Sequence, residues 1–196
     1  MGLSKLIKMI KIYDPSIKST IEVFLYQGFW AIFWHRLAHR LYRWRLFFFA
    51  RLVSQFSRLM TLIEIHPGAT LSTEVFIDHG TGVVIGETAV VGKNVVIFHG
   101  ATLGGTGKEI GKRHPTVEND VMIGAGATIL GPITIGKGAK IGANAIVVKD
   151  VPAGTTIVGE IGRDINQECS LRKEIDELKL RLEKIDSIMY NKNINL

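Results

Sequence analysis

Between Ile65 and Val147 an aliphatic side chain recurs at every sixth position, and few patterns restrict a chain's choice of fold more severely. The positions are Ile65, Leu71 and Ile77, then Ile85, Val91, Ile97 and Leu103, then Val117, Ile123, Ile129, Ile135, Ile141 and Val147. Four residues after nearly every one stands a small or β-branched partner, such as Ala69, Val75, Ala89, Val95, Ala127 or Ala139. The next position is often glycine, as at Gly86, Gly92, Gly124, Gly136 and Gly142. Helical amphipathicity repeats every 3.6 residues and a half-buried strand every two, so neither makes this pattern. Short strands joined at corners and stacked coil on coil do make it, with the aliphatic position buried in a narrow core. The sequence therefore predicts a β-helix over residues 63–160, and function has to be sought where the repeat breaks.

It breaks twice. A phase slip between Val83 and Ile85 is small and reads as costing little. The second break, from Leu103 to Val117, expels an excursion loop at 104–116. Such departures from a regular solenoid usually carry function. Gly104, Gly105, Gly107 and Gly111, with Lys108, Lys112, Arg113 and His114, suit contact with an anionic ligand.

The flanks read as helical. Residues 1–62 form an N-terminal helical region in which Asp14-Pro15 looks like an N-cap followed by proline at the first helical position. A segment near 28–45 sets Phe29, Ile32, Phe33, Leu37, Leu41 and Trp44 on one side and Arg36, Arg40 and Arg43 opposite, and a further helix runs near 46–60. Residues 161–196 comprise a linker, a helix and a tail. Asp164 to Gln167 form a candidate capping box. Leu171, Ile175, Leu178, Leu182, Ile185 and Met189 then follow at heptad spacing. Glu174 would face Lys179, and Arg181 would face Asp186, in a parallel coiled coil, which favours self-association. The fold class is α+β: helices, then a parallel β-helix, then a heptad helix.

Charge and composition narrow the functions. A hydrophobic share of 46% supports a real core. The single cysteine, Cys169, excludes an internal disulfide framework and suits a reducing cytoplasm. Net charge is +6, yet residues 1–60 hold ten Lys and Arg against Asp14 and Glu22 alone. Such a basic third favours an anionic substrate, an acidic partner or a membrane surface. The apolar run Val23–Trp34 is too short to span a bilayer, and arginines and histidines follow it at once. An amphipathic helix packing on the protein is expected ahead of peripheral membrane contact. Nothing resembles a secretory signal peptide, and no nucleic-acid partner is expected.

The candidates for chemistry are polar residues set into the aliphatic and glycine pattern. Glu64 and His66 flank Ile65, Asp78 and His79 follow Ile77, His99 lies two after Ile97, and Arg113 and His114 sit in the excursion. A carboxylate beside a histidine is the arrangement a general base needs, because the acid fixes the tautomer and stabilises the imidazolium.

Three stretches together resemble the serine O-acetyltransferases, a family of hexapeptide acyltransferases. They are Glu64-Ile65-His66-Pro67-Gly68-Ala69, the run Ile77-Asp78-His79-Gly80-Thr81-Gly82 on to Gly86-Glu87-Thr88-Ala89, and Thr102-Leu103-Gly104-Gly105-Thr106-Gly107-Lys108 with Arg113-His114-Pro115. The resemblance covers about residues 12–160 and implies a left-handed β-helix, acetyl-CoA as cosubstrate, L-serine as acceptor and a homotrimer. It makes His79 the base that takes the serine proton and Glu64 the acid that orients it, where many members have Asp. It places Asp14, Asp78, Arg113 and His114 around the substrate, in keeping with a zwitterion that needs carboxylates for its ammonium and an arginine for its carboxylate. It sets Gly105, Thr106, Ala125 and Ala143 along the acetyl-CoA arm, with Lys140 near the CoA phosphates, and calls for no metal. Many members end in isoleucine, which enters O-acetylserine sulfhydrylase. The end here, Ile194-Asn195-Leu196, makes that enzyme a partner to test through the tail.

Other readings explain less. A related acetyltransferase acting on a sugar hydroxyl would not need Asp14, Asp78 and Arg113 arranged for an amino acid. A zinc-dependent β-helix would show closely spaced histidines, whereas within the hexad region they fall at 66, 79, 99 and 114. A non-catalytic scaffold leaves the polar insertions without a purpose.

Overall fold

The computed structural model describes residues 2–14, 16–107, 110–159, 175–179 and 181–182. The chain divides into two units, Met1–Glu160 and Ile161–Leu196.

In the first unit the hexads become strands of two to four residues. These are β1 (Glu64–Ile65), β2 (Thr70–Leu71), β3 (Val75–Asp78), β4 (Val84–Ile85), β5 (Val90–Val91), β6 (Val95–Phe98), β7 (Thr102–Gly104), β8 (Thr116–Val117), β9 (Met122–Ile123), β10 (Thr128–Leu130), β11 (Thr134–Ile135), β12 (Lys140–Ile141), β13 (Ile146–Val147) and β14 (Thr156–Ile157). Every third strand pairs in parallel, except that β14 pairs with β12. The first face is β1-β4-β7-β10-β13, the second β2-β5-β8-β11 and the third β3-β6-β9-β12-β14. Hexad positions stack directly on one another: Ile65 on Ile85, Leu103, Ile129 and Val147, and Ile77 on Ile97, Ile123, Ile141 and Ile157. Ile85, Ile97, Ile123, Ile129 and Ile135 have no exposed surface, and each such side chain contributes roughly 1.5–3 kcal/mol by leaving water.

Each coil turns at three corners, and two columns of corners matter below. The histidine edge joins third to first face and the loop edge joins first to second. First-face partners fall at residues 64, 84, 102, 128 and 146, so the coils run 20, 18, 26 and 18 residues. The long coil holds the excursion, on the loop edge. The two surplus residues of the first coil lie between Ile77 and Ile85, on the histidine edge. The small phase slip is therefore not idle: it enlarges the corner that carries His79.

Three helices cover the start of the solenoid: α1 (Gly2–Tyr13), α2 (Gln27–Arg43) and α3 (Phe47–Thr61), with a short 3₁₀ helix at Thr20–Leu25 capped by the Ser19 side chain. Asp14 does not begin a helix. It follows the end of α1, its amide bonded to the Ile10 carbonyl, and its carboxylate turns to accept the Ser16 amide. Pro15 lies outside the described residues.

The buried face of α2 is also not the expected stripe. Phe29, Ile32, His35 and Ala38 go inward, while Phe33, Leu37 and Trp44 are exposed. Gly28, Ala31 and Ala38 are the small residues that admit this close approach. The outward rings of Trp30, Phe33 and Trp34 instead pack edge to face in a row that ends on Phe56 of α3, with centroids 5.2–5.8 Å apart.

In the second unit, residues 175–179 and 181–182 are helical, and Ile175, Leu178 and Leu182 are exposed. The other heptad positions, the proposed capping box, Cys169 and the tail to Leu196 lie outside the described residues. Among the described residues no helix is long and apolar enough to cross a membrane.

Candidate active site

The histidine edge opens into a cleft of about 520 Å³ between the end of α1, the start of α2 and the corner after β3, lined by Asp14, Tyr26, Gln27, Asp78, His79 and Thr81. Asp14 is preorganised. It accepts the Ser16 amide at 2.8 Å and the Tyr26 hydroxyl, and the hydrogen bonds from Ser16 and Tyr26 hold its carboxyl below the usual range. Burial, with Asp14 beside it, pushes the Tyr26 phenol up to about 12, so it stays a donor. Asp78 ends β3 with a side chain only 14% exposed, and its Oδ1 is buried with no hydrogen-bond partner. That atom stands 3.7 Å from Nε2 of His79, beyond hydrogen-bond reach. His79 adopts φ 51°, a left-handed conformation uncommon outside glycine, and its ring projects into solvent at the mouth of the cleft.

The loop edge carries a second constellation. The Thr88 hydroxyl accepts the amides of Arg113 (3.0 Å) and His114 (3.1 Å) and lies 2.9 Å from Nδ1 of His114. The Thr88 amide also donates to that Nδ1, at 3.2 Å, so the His114 proton sits on Nε2. Burial keeps this imidazole's pKa below its ordinary value, which favours the neutral ring. Glu87 accepts from the Tyr42 hydroxyl at 2.9 Å and pairs with Arg113. These two partners hold Glu87 ionised below the ordinary carboxylate range. Lys112 bonds the carbonyls of Thr88 (2.7 Å) and Pro115 (3.3 Å). Lys112 and Arg113 thus tie their end of the excursion back onto the solenoid, and the Arg113 side chain stays partly exposed.

The residues expected along acetyl-CoA divide between the same two columns. Ala125 and Ala143 occupy the histidine edge in the two coils whose corners continue the His79 column. There the chain climbs by glycine on glycine: Gly82, Gly100 and Gly126 all have φ near +70°, and Asn144 repeats the conformation at 56°. Amides link each corner to the next, Gly100 to the Thr81 carbonyl, Gly126 to His99 and Asn144 to Ala125. Lys140 begins β12 on the third face and is exposed. Gly105 and Thr106 instead begin the excursion, on the loop edge beside Arg113 and His114. Among the described residues no group of three His, Cys, Asp or Glu side chains is placed to hold a metal.

Residues 114–149 match the family model described as bacterial transferase hexapeptide (six repeats). The chain is 57% identical over 155 residues to the serine acetyltransferase of Bacillus pumilus, covering 79% of this chain and 71% of the relative. It is 50% identical over 192 residues to that of Bacillus subtilis, covering 87% and 88%. It superposes on the serine acetyltransferase of Neisseria gonorrhoeae, solved in complex with serine, with a TM-score of 0.76 at 42% identity. That match covers 82% of this chain and 66% of the solved one. The chain belongs to the serine acetyltransferase family.

For a member of this family the placement of Glu64 is informative. Its carboxylate lies 3.2 Å from Arg58 and 3.9 Å from Arg51, both on α3, while the carboxylate beside His79 is that of Asp78. His66 sits on the loop edge, where its Nδ1 accepts the Gly68 amide at 3.0 Å and burial lowers its pKa. His99 lies exposed on the histidine edge, one coil beyond His79. Sequence reasoning missed Tyr26, Glu87 and Thr88. Glu87 and Thr88 stood inside the recognised motif, and a polar pair replacing the small corner residues was the available signal. Tyr26 lies in a segment without periodicity, and nothing in the sequence marked it.

Proposed function

We propose that this chain transfers the acetyl group of acetyl-CoA to the hydroxyl of L-serine, releasing O-acetylserine and CoA. The observation that carries the reading is Asp78 Oδ1, a buried carboxylate oxygen without a hydrogen-bond partner at the wall of the His79 cleft. A buried acceptor of this kind asks for a cationic donor. The ammonium of an amino acid supplies one, and Asp14 provides a second carboxylate across the cleft.

With the ammonium so held, the serine hydroxyl is presented to a ring nitrogen of His79. That nitrogen takes the hydroxyl proton as the oxygen attacks the thioester carbon. The carbon–sulfur bond then breaks, and the imidazolium returns the proton to the departing thiolate. Glu64 is the family's orienting acid, one coil beneath His79, and serves if its carboxylate exchanges Arg58 for the imidazole. Arg113 supplies the planar fork for the substrate carboxylate, and Nε2–H of His114 supplies a neutral donor beside the Gly105 turn, where an oxyanion would need one. Ala125 and Ala143 leave the histidine edge open for an extended thiol arm, with Lys140 beyond it.

The base and the carboxylate clamp lie on different edges of one face. Substrate that touches both needs the histidine edge of one copy against the loop edge of another, which supports a homotrimer with sites between subunits. A parallel coiled coil of residues 171–189 would join the same three copies. The tail's engagement of O-acetylserine sulfhydrylase rests on the resemblance alone.

The test is thiol release from acetyl-CoA with L-serine, homoserine and sugars as acceptors. L-serine should be strongly preferred. Asp78→Asn should raise the KM for serine tenfold or more and leave that for acetyl-CoA within twofold, whereas Glu64→Gln should lower kcat. A sugar acetylated faster than serine overturns the reading.

A further inference from the structure

A second cleft, of about 510 Å³, lies between α2 and β2 and shares no lining residue with either constellation. Five basic side chains line it, His35, Arg36, His39, Arg40 and Arg43, with Trp44 at one end. The three arginines recur at i, i+4 and i+7 and so share one side of α2. Among the described residues none of them has a carboxylate within ion-pair distance, whereas Arg51, Arg58 and Arg113 all do. The sequence pattern placed these arginines on an outer polar face. The helix instead turns Arg36 and His35 toward the solenoid.

Two polar atoms are stranded there. Nη2 of Arg36 is buried with no hydrogen-bond partner, and so is Nδ1 of His35, a residue only 6% exposed. Native proteins rarely leave such atoms unpaired, so each asks for a partner. The guanidinium nitrogen is a donor and needs an acceptor. The imidazole has the opposite need. The backbone group acting on the His35 ring is the Ala69 carbonyl, which can only accept, and Nδ1 has no partner, so the ring proton is assigned to Nε2 and Nδ1 is left as an acceptor. The other charges acting on the ring, from His39, Arg36 and His66, are all of positive sign and oppose a second proton. His39 is already engaged, its Nδ1 2.8 Å from the Pro67 carbonyl.

We propose that this cleft binds a small oxyanion that also carries an O–H donor, the anionic oxygens on Arg36, Arg40 and Arg43 and the hydroxyl on His35 Nδ1. Monohydrogen phosphate has both features in one group, and a hydroxy-dicarboxylic acid has them on neighbouring carbons. Sulfate has the charge without the donor, and succinate is malate without its hydroxyl. The four anions therefore separate simple charge attraction from the paired donor and acceptor that this geometry demands. The inference rests on the α2 cleft alone and is independent of the acetyl-transfer reading.

The experiment is titration calorimetry of the full-length protein at matched ionic strength with phosphate, sulfate, malate and succinate. A parallel thermal-shift series uses the double variant Arg40→Gln/Arg43→Gln. Both positions are exposed, so the variant keeps its fold. Phosphate, malate or both should bind saturably and raise Tm, at least tenfold more tightly than sulfate and succinate respectively. Phosphate alone identifies inorganic phosphate as the ligand class, and malate alone identifies a hydroxy acid. The double variant should lose at least tenfold in affinity while thiol release from acetyl-CoA is unchanged. Equal binding of all four anions, no saturable binding, or undiminished binding by the variant overturns the proposal.

Discussion

Gly86 is the corner residue against which His114 lies, and Gly86→Ala tests how far the loop edge depends on that fit. A Cβ built at Gly86 would stand 2.0 Å from Cδ2 and 2.1 Å from Nε2 of His114, against the 3.4 Å or more of ordinary contact. The ring has to leave its place, because the solenoid backbone on the other side is fixed by the coil-to-coil amides of Gly86 and Thr88's neighbours. Displacement breaks the bonds from the Thr88 amide and hydroxyl to Nδ1, each worth about 0.5–1.5 kcal/mol. Overpacking a filled site costs about 1–3 kcal/mol. Together these amount to roughly 2–6 kcal/mol, or a fall in Tm of about 4–24 °C for a chain of this size. Since the hydroxyl that holds His114 also fixes the Arg113 amide, the KM for serine should rise with the loss of stability. Gly107→Ala is the control, because nothing lies within 4 Å of its Cβ position. Differential scanning fluorimetry and serine saturation kinetics read both effects. A Gly86→Ala protein with native Tm and native serine KM would refute the account of the loop edge.

His79→Asn should lower kcat about 10²–10⁴-fold, the range for a lost general base, with acetyl-CoA binding nearly intact by calorimetry; a loss of only a few fold would remove His79 from the mechanism. Arg113→Lys keeps the charge but not the fork, so steady-state kinetics should show a larger loss with serine than with serine amide, and equal losses would dissolve the clamp. Burial holds the His35 pKa down to about 3, against about 6.5 in an unfolded chain. Between those values the unfolded state takes up a proton that the folded state refuses, so stability falls as pH drops from 6.5 toward 3. At about 1.36 kcal/mol per unit the full effect is on the order of 5 kcal/mol, and in urea unfolding from pH 4.5 to 7 His35→Phe should flatten the slope. Light scattering should give three times the chain mass of 21.7 kDa, and removing residues 168–196 should lower Tm while leaving a trimeric, active enzyme; a monomeric full-length protein contradicts sites shared between subunits.

The solenoid was legible because its period is set by the coil itself: a residue whose side chain must fill a narrow core every turn of the strand cannot hide. The hexad positions from Ile65 to Val147 stack in register, as their spacing required. The helices were legible as helices but not in orientation. On α2 the bulky apolar residues outnumber the small ones, yet close packing against strands selects Gly28, Ala31 and Ala38, and a hydrophobic pattern weighs them lightly. Asp14 was found and its setting was not, because an Asx turn after one helix and a cap before another use the same residue type. His79 and Asp78 were visible as polar interruptions. The two surplus residues that open their corner were in plain view as a change of phase, and only the three-dimensional corner gives them meaning. Tyr26 and the Thr88 hydroxyl act through tertiary contacts that no local pattern encodes.

The stacked corners of the histidine edge also make a ruler. Parallel strands in a sheet lie about 4.8 Å apart, so Gly82, Gly100, Gly126 and Asn144 mark a line in three equal steps, roughly 14 Å from the His79 corner to the fourth. Whatever lies along that line meets the protein at fixed intervals, and its far end is gauged in whole coils and not in residues. A ligand longer or shorter by part of a step finds the wrong atoms at its far end, and no side-chain rearrangement at one corner corrects that. Gaining or losing an entire coil would shift the gauge by one graduation and keep every corner's geometry intact, which gives this architecture a discrete way to change the length it measures.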